Sequence, residues 1–202
     1  MKFHIRDIQK RQKYVEQAQV LQQTLQQIHT STPKNKFGVH QWTGQDIFDY
    51  FTHFEDFDMT DFEPQILFEK RSSGDREKFP SHISFPGGKP EPRESILDTA
   101  IRETYEETNL NLSDYNKFVY CGEYPATFPF MTVKDIGDIY VKAFVFIQIS
   151  FEIIPITVNP GEIDDCIWTS LEYFESNDPK FFEKYYCPFF PGTPIEFTCE
   201  LA

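Results

Sequence analysis

The stretch Glu94 to Asn109 carries the clearest helical pattern in the chain, and the acids on it constrain the fold more than any other segment. Leu97, Ala100, Ile101, Thr104 and Thr108 recur along one side at helical spacing. Glu103, Glu106 and Glu107 stand at i, i+3 and i+4, so three carboxylates project from one patch. Like charges placed this way repel by about 0.2–0.5 kcal/mol per pair, which a divalent cation relieves. Oxygen-only ligands suit Mg²⁺ or Mn²⁺, bound through a few carboxylates together with substrate phosphates and water. An isolated E-x-x-E-E is better explained as a solvated acidic face. The fixed spacing to Gly88, Glu94 and Arg102 separates the two explanations, because six specified residues at ordinary usage should coincide by chance with odds of only about 10⁻⁵ over this chain.

Strand patterns flank this helix. Gln65 to Arg71, His82 to Phe85, Phe118 to Gly122, Tyr140 to Phe151 and Cys166 to Trp168 are β-rich or alternating and bounded by Gly, Pro or polar loops, and Leu171 to Phe174 begins a helix. Strands on both sides of a central helix, without regular βαβ alternation, predict a mixed α+β sandwich. Tyr14, Ala18, Leu21, Leu25 and Ile28 form one face of an amphipathic helix that Ser31, Thr32 and Pro33 end, suited to packing on its own domain or on a dimer partner. The Phe- and Asp-dense segment from Phe37 to Pro64 is ordered but of no clear type, and the aromatic tail 177–202 shows little period.

Nineteen Lys and Arg against 32 Asp and Glu give a net charge of −13, which repels phosphate backbones and anionic lipid and so disfavours nucleic-acid coating. The first 36 residues are nonetheless basic, with Lys2, Arg6, Lys10, Arg11, Lys13, Lys34 and Lys36 against Asp7 and Glu16. Four cysteines without a C-x-x-C pair point away from zinc and toward reduced thiols inside a cell, and no apolar run is long enough to span a bilayer. A cytoplasmic location follows, with a mitochondrial presequence in the basic segment as the alternative.

The run Gly88-(x5)-Glu94-(x7)-Arg102-Glu103-Thr104-x-Glu106-Glu107-x-Asn109-Leu110 resembles the Nudix box, G-x5-E-x7-R-E-U-x-E-E-x-G-U with U aliphatic. Thr104 replaces an aliphatic residue and Asn109 the last glycine, where a left-handed helix end is expected and Asn is the next best tolerated type. More widely, Leu67 to Ser73, His82 to Lys89, Thr99 to Thr104, Asn159-Pro160-Gly161-Glu162-Ile163 and Trp168 to Leu171 are similar to the coenzyme A diphosphatase branch of the Nudix hydrolases. Phe79 and Ser81 stand where that branch usually has His and Gly.

The resemblance implies a Nudix-type α/β/α sandwich with a mixed sheet: a basic helical arm over 1–36 and a hydrolase domain over 37–202, best matched from 65 to 175. It implies Glu103, Glu106, Glu107 and the Gly87 carbonyl as metal ligands for Mg²⁺ or Mn²⁺, and Arg102, with Glu94, as the group that orients and shields them. Glu106, Glu162 and Arg102 are the expected catalytic residues, with Glu162 as general base, and Arg71 and Lys89 are expected to hold a phosphate. The activity implied is hydrolysis of the diphosphate bond of a small nucleotide, foremost coenzyme A or its esters, giving 3′,5′-ADP and a phosphopantetheine product. ADP-ribose, NADH or an oxidised nucleotide are alternative substrates, and a non-catalytic nucleotide-binding module is the alternative of a different class.

Overall fold

A computed structural model describes residues 1–73, 80–125, 128–133, 137–176, 184–186 and 194–196. Its elements run β1 (Lys2–Ile5), α1 (Ile8–Val20), α2 (Gln22–Ser31), α3 (Gly44–Phe51), a 3-10 turn (Met59–Asp61), β2 (Phe62–Arg71), β3 (Ile83–Ser84), α4 (Ile96–Thr108), β4 (Phe118–Glu123), β5 (Phe128–Val133), β6 (Gly137–Val141), β7 (Phe144–Gln148), β8 (Ile163–Ser170), α5 (Leu171–Ser176), β9 (Lys184–Tyr186) and β10 (Pro194–Glu196). The main sheet has the order β3-β2-β1-β7-β4, and β8 pairs with β2 along Gln65 to Arg71. β1 and β7 run parallel while the other pairs in this sheet are antiparallel, so the sheet is mixed. β5 with β6, and β9 with β10, form two small separate ladders.

Side-chain alternation along the strands sets the layers. Phe3 and Ile5 of β1, Val119 and Cys121 of β4, and Ile147 of β7 pack with Tyr14 of α1, Leu25 of α2, and Phe51 of α3. Their strand neighbours Tyr120 and Phe146 face the other way, onto Leu97 of α4, while Phe118 joins Leu67 and Leu110. The result is an α/β/α sandwich with three helices on one face and α4 on the other. Among the described residues no helix is long and apolar enough to cross a membrane.

Several elements differ from the sequence expectation. The apolar stripe from Tyr14 to Ile28 is carried by two helices, because Leu21 leaves helical geometry at φ −81° and ψ 6°. Ahead of them lies β1, four residues whose alternation is too short to stand out in a sequence. The segment 37–64 contains α3, begun by a Thr43–Asp46 capping box, and buries Trp42, Tyr50, Phe51 and Phe54. The strand expected from Tyr140 to Phe151 is divided at Lys142-Ala143 into β6 and β7. Most of the aromatic tail lies outside the described residues.

Helix α4 is built as its sequence suggests. Ser95 caps the start, its hydroxyl oxygen accepting the Asp98 N–H at 3.1 Å. The Thr104 hydroxyl, which stands where the motif has an aliphatic side chain, donates to the Ala100 carbonyl at 2.7 Å and so enters the interior satisfied. Asn109 ends the helix in the left-handed conformation, φ 60° and ψ 20°, its N–H donating to the Tyr105 carbonyl at 2.8 Å. A β-branched residue is strained there. Asn109→Val should therefore cost on the order of 1 kcal/mol or more in urea unfolding, and Asn109→Gly should be neutral or mildly stabilising.

Candidate functional site

The carboxylates of α4 divide into two groups with different surroundings. Glu107 turns inward and is 3% exposed, and its Oε2 accepts the Gly87 N–H at 2.9 Å. Facing it from β2 is Glu69, fully buried, whose Oε1 accepts from the Ser84 hydroxyl at 2.9 Å. Arg71, two residues along the same strand, brings Nη1 to 3.8 Å from that oxygen. Glu69 Oε2 has no donor among its neighbours while both acids are ionised. The two carboxyls can share a hydrogen bond once one carries a proton. Burial first, and then the Glu69 charge, push the Glu107 carboxyl up to about 9, and burial raises Glu69 as well. The charge of Glu103 adds to both.

The second group is organised by Arg102. Its Nε donates to Glu94 Oε1 at 2.8 Å and its Nη2 to Glu94 Oε2 at 3.0 Å, a bidentate pair. Nη1 reaches both Glu103 Oε1 and Glu106 Oε2 at 3.0 Å, and Nη2 also donates to the Lys89 carbonyl at 3.2 Å. The guanidinium hydrogen bonds, with the Glu91 N–H, hold the Glu94 carboxyl down at about 2. One cation thus anchors the entry loop to α4 and draws Glu103 and Glu106 to itself. Among the described residues no three acids, imidazoles or thiols stand together as a preformed metal cluster. The donor set nonetheless fits a hard divalent cation: Glu69, Glu103 and Glu107 offer carboxylate oxygens, one buried oxygen lacks a partner, and the Glu103 carboxyl fills the place a Cβ at Gly88 would take.

A family profile described as the NUDIX domain matches residues 57–187. The chain belongs to the NUDIX family. This Nudix chain is similar in fold to a C. elegans Ap4A hydrolase, solved as a binary complex, with 20% identity and a TM-score of 0.42 over 54% of this chain and 70% of that one. It is also similar to the MutT protein from Methanosarcina mazei Go1, with 25% identity and a TM-score of 0.40 over 56% and 72%. No curated protein matches it. Family membership makes the chain a pyrophosphohydrolase of the Nudix type, a family whose members generally use divalent metals such as Mg²⁺.

The remaining expected residues of this Nudix site are placed as follows. Gly87 meets Glu107 through its N–H. Arg71 borders Glu69, and Lys89 is exposed at the start of the loop that Arg102 anchors. Glu162 is exposed in the turn before β8; its backbone carbonyl accepts from Ser72 at 2.8 Å, and its carboxylate hydrogen-bonds none of the α4 glutamates. Phe79, where the related branch has His, lies outside the described residues. Ser81, where the related branch has glycine, is left-handed at φ 61°, the conformation glycine supplies without strain. Glu69 went unnoticed in the sequence, although the period-2 register puts it on the same face as the buried Leu67, an inward position where an acid is out of place.

Gly88 supplies a direct test. An added Cβ would overlap the Glu103 carboxyl, the far end of a flexible side chain, and the backbone at Gly88 has no left-handed strain. Gly88→Ala should therefore leave the melting temperature within a few degrees of the parent while lowering kcat/KM at least tenfold, ~1.4 kcal/mol of barrier.

Proposed function

We propose that this Nudix hydrolase cleaves the diphosphate linkage of a nucleoside diphosphate joined to another group, with coenzyme A or its esters as the leading substrate. The observation that carries the reaction class is the partly buried acidic centre of α4, held in place by the Arg102–Glu94 pair. Glu103, Glu106 and Glu107, with the Gly87 carbonyl, would hold a divalent cation, Mg²⁺ or Mn²⁺, which when bound lowers the pKa of water and offsets charge developing on the phosphate oxygens. Arg102 fixes the direction of Glu103 and Glu106 through its two contacts at 3.0 Å. Glu162, exposed on its turn, takes the proton of the attacking water as general base. Lys89 and Arg71 bind the anionic substrate, which an acidic body would otherwise repel. The residues that perform this chemistry lie within 37–202, and the first 36 lend β1 to the same sheet.

Coenzyme A is favoured by the Phe85-Pro86-Gly87-Gly88 approach and by the Asn159-Pro160-Gly161-Glu162 segment, both similar to that branch. Its 3′-phosphorylated ADP asks for cations and its pantetheine arm for an apolar wall. Mass spectrometry of a coenzyme A digest should show 3′,5′-ADP and 4′-phosphopantetheine. Cleavage of ADP-ribose, NADH or an oxidised nucleoside triphosphate with at least tenfold higher kcat/KM, ~1.4 kcal/mol in transition-state binding, would replace the substrate and keep the reaction.

Hydrolysis should require millimolar Mg²⁺ or lower Mn²⁺ and stop with EDTA. Full turnover in thoroughly chelated buffer would overturn the mechanism.

A further inference from the structure

We propose that Glu69 is a metal ligand supplied by β2, so that the cation sits between strand and helix rather than on the face of α4 alone; the inference rests on the function proposed above. Glu69 is fully buried, with 0% of its surface exposed, the least exposed acid among the described residues. Its strand register opposite Ser84 of β3 directs one oxygen, Oε1, onto the Ser84 hydroxyl at 2.9 Å, and Arg71 stands 3.8 Å from the same atom. The other oxygen, Oε2, has no partner. It belongs to a carboxylate that faces Glu107, itself pinned through Oε2 by the Gly87 N–H.

Packing gives no reason for an acid here. The neighbouring inward position on β2 is Leu67, buried against Leu110 and Phe118, and an apolar residue at 69 would extend that contact without desolvating a charge. A buried carboxylate beside a second one is retained where something positive compensates both, and the Arg71 guanidinium, 3.8 Å from Glu69 Oε1, offsets only part of the cost of burying Glu69. Glu69, Glu107 and Glu103 would together offer a hard cation oxygen ligands alone. Contribution from β2 also explains why the centre looks incomplete when only α4 is considered: two of the helix's acids are engaged by Arg102, and the strand supplies a replacement.

The test is Mn²⁺ binding by the full chain, read from the electron paramagnetic resonance signal of free Mn²⁺ and from the Mn²⁺ dependence of the melting temperature. Glu69→Gln should weaken Mn²⁺ binding at least tenfold, and in EDTA it should melt at or above the temperature of the parent, because an amide that donates to Glu107 replaces a buried charge. A shift under tenfold overturns the inference, as does a lowered melting temperature in EDTA with Mn²⁺ affinity unchanged, the signature of a purely structural carboxylate. Glu69→Asp, which keeps the charge but retracts the oxygens, is judged by the same tenfold criterion if the amide variant does not fold. Glu107→Gln separates the two layers of the proposal. If it weakens Mn²⁺ while Glu69→Gln does not, the strand ligand is wrong and the α4 centre stands. If Glu107→Gln leaves Mn²⁺ binding intact, the α4 centre itself is wrong.

Discussion

The carboxyl groups of Glu69 and Glu107 meet where water does not reach, and burying two acids side by side costs several kcal/mol unless neighbouring groups compensate. Much of the surrounding structure serves that compensation. Ser84 and the Gly87 N–H each hold one of the two acids, so the β3 strand and the glycine turn after it are fixed relative to β2 and α4. The helix end is stitched in turn. The N–H groups of Thr157 and Asn159 donate to the carbonyls of Thr108 and Glu107 at 3.1 and 3.2 Å, satisfying acceptors that the last turn of α4 leaves open. The segment that does this leads into β8, and β8 pairs with β2 opposite Glu69 itself. Strand, helix and loop thus form a closed circuit around the acids, and the position of one carboxyl cannot change without moving an element that holds the other.

Arg102 solves a different problem on the same helix. A single guanidinium meets Glu94, Glu103 and Glu106, and its planar fork is matched to Glu94 in a way that a lysine could not reproduce. Glu94 is in effect the counter-charge that locates Arg102, and Arg102 locates the two exposed-side acids. The α4 centre therefore has one half fixed by burial and one half fixed by an ion pair. The second half is the adaptable one, since a carboxylate engaged by a partly exposed arginine exchanges partners at small cost.

What was legible in the sequence was whatever repeats locally. The α4 pattern, its Ser95 start and its left-handed Asn109 end follow from spacing and capping chemistry, and so do β2, β4 and β8. Glu69 was not read as part of the site because its significance depends on a contact between strand and helix separated by almost forty residues, which no local period encodes. The boundary between β6 and β7 and the break at Leu21 escaped for a related reason: both segments are continuously β-rich or continuously amphipathic, and pairing partners decide where they divide. α3 lay hidden because its aromatic residues, Phe48, Tyr50 and Phe51, suit a strand as well as a helix, so the Thr43–Asp46 box was the only local sign.

The uneven charge of the chain has a structural explanation that the sequence did not suggest. Lys10 meets Asp61 at 2.6 Å, Lys13 meets Asp56 at 2.6 Å, and Arg6 meets Glu63 at 3.3 Å, so the basic first 36 residues are complementary to the acidic segment that follows α3. Exposed pairs of this kind are worth about 0–1 kcal/mol each, too little to hold a segment in place by themselves. Attachment comes from Ile5, Tyr14 and Leu25, each at most 2% exposed in the core beneath α3. β1 completes the arrangement by lying between β2 and β7 in the sheet order, the only strand of the main sheet that touches both among the described residues. The half of the sheet that carries Glu69 is joined to the half that supports Leu97 of α4 through these four residues. A segment whose charge sets it apart in the sequence is, in the fold, what brings β2 and α4 into register.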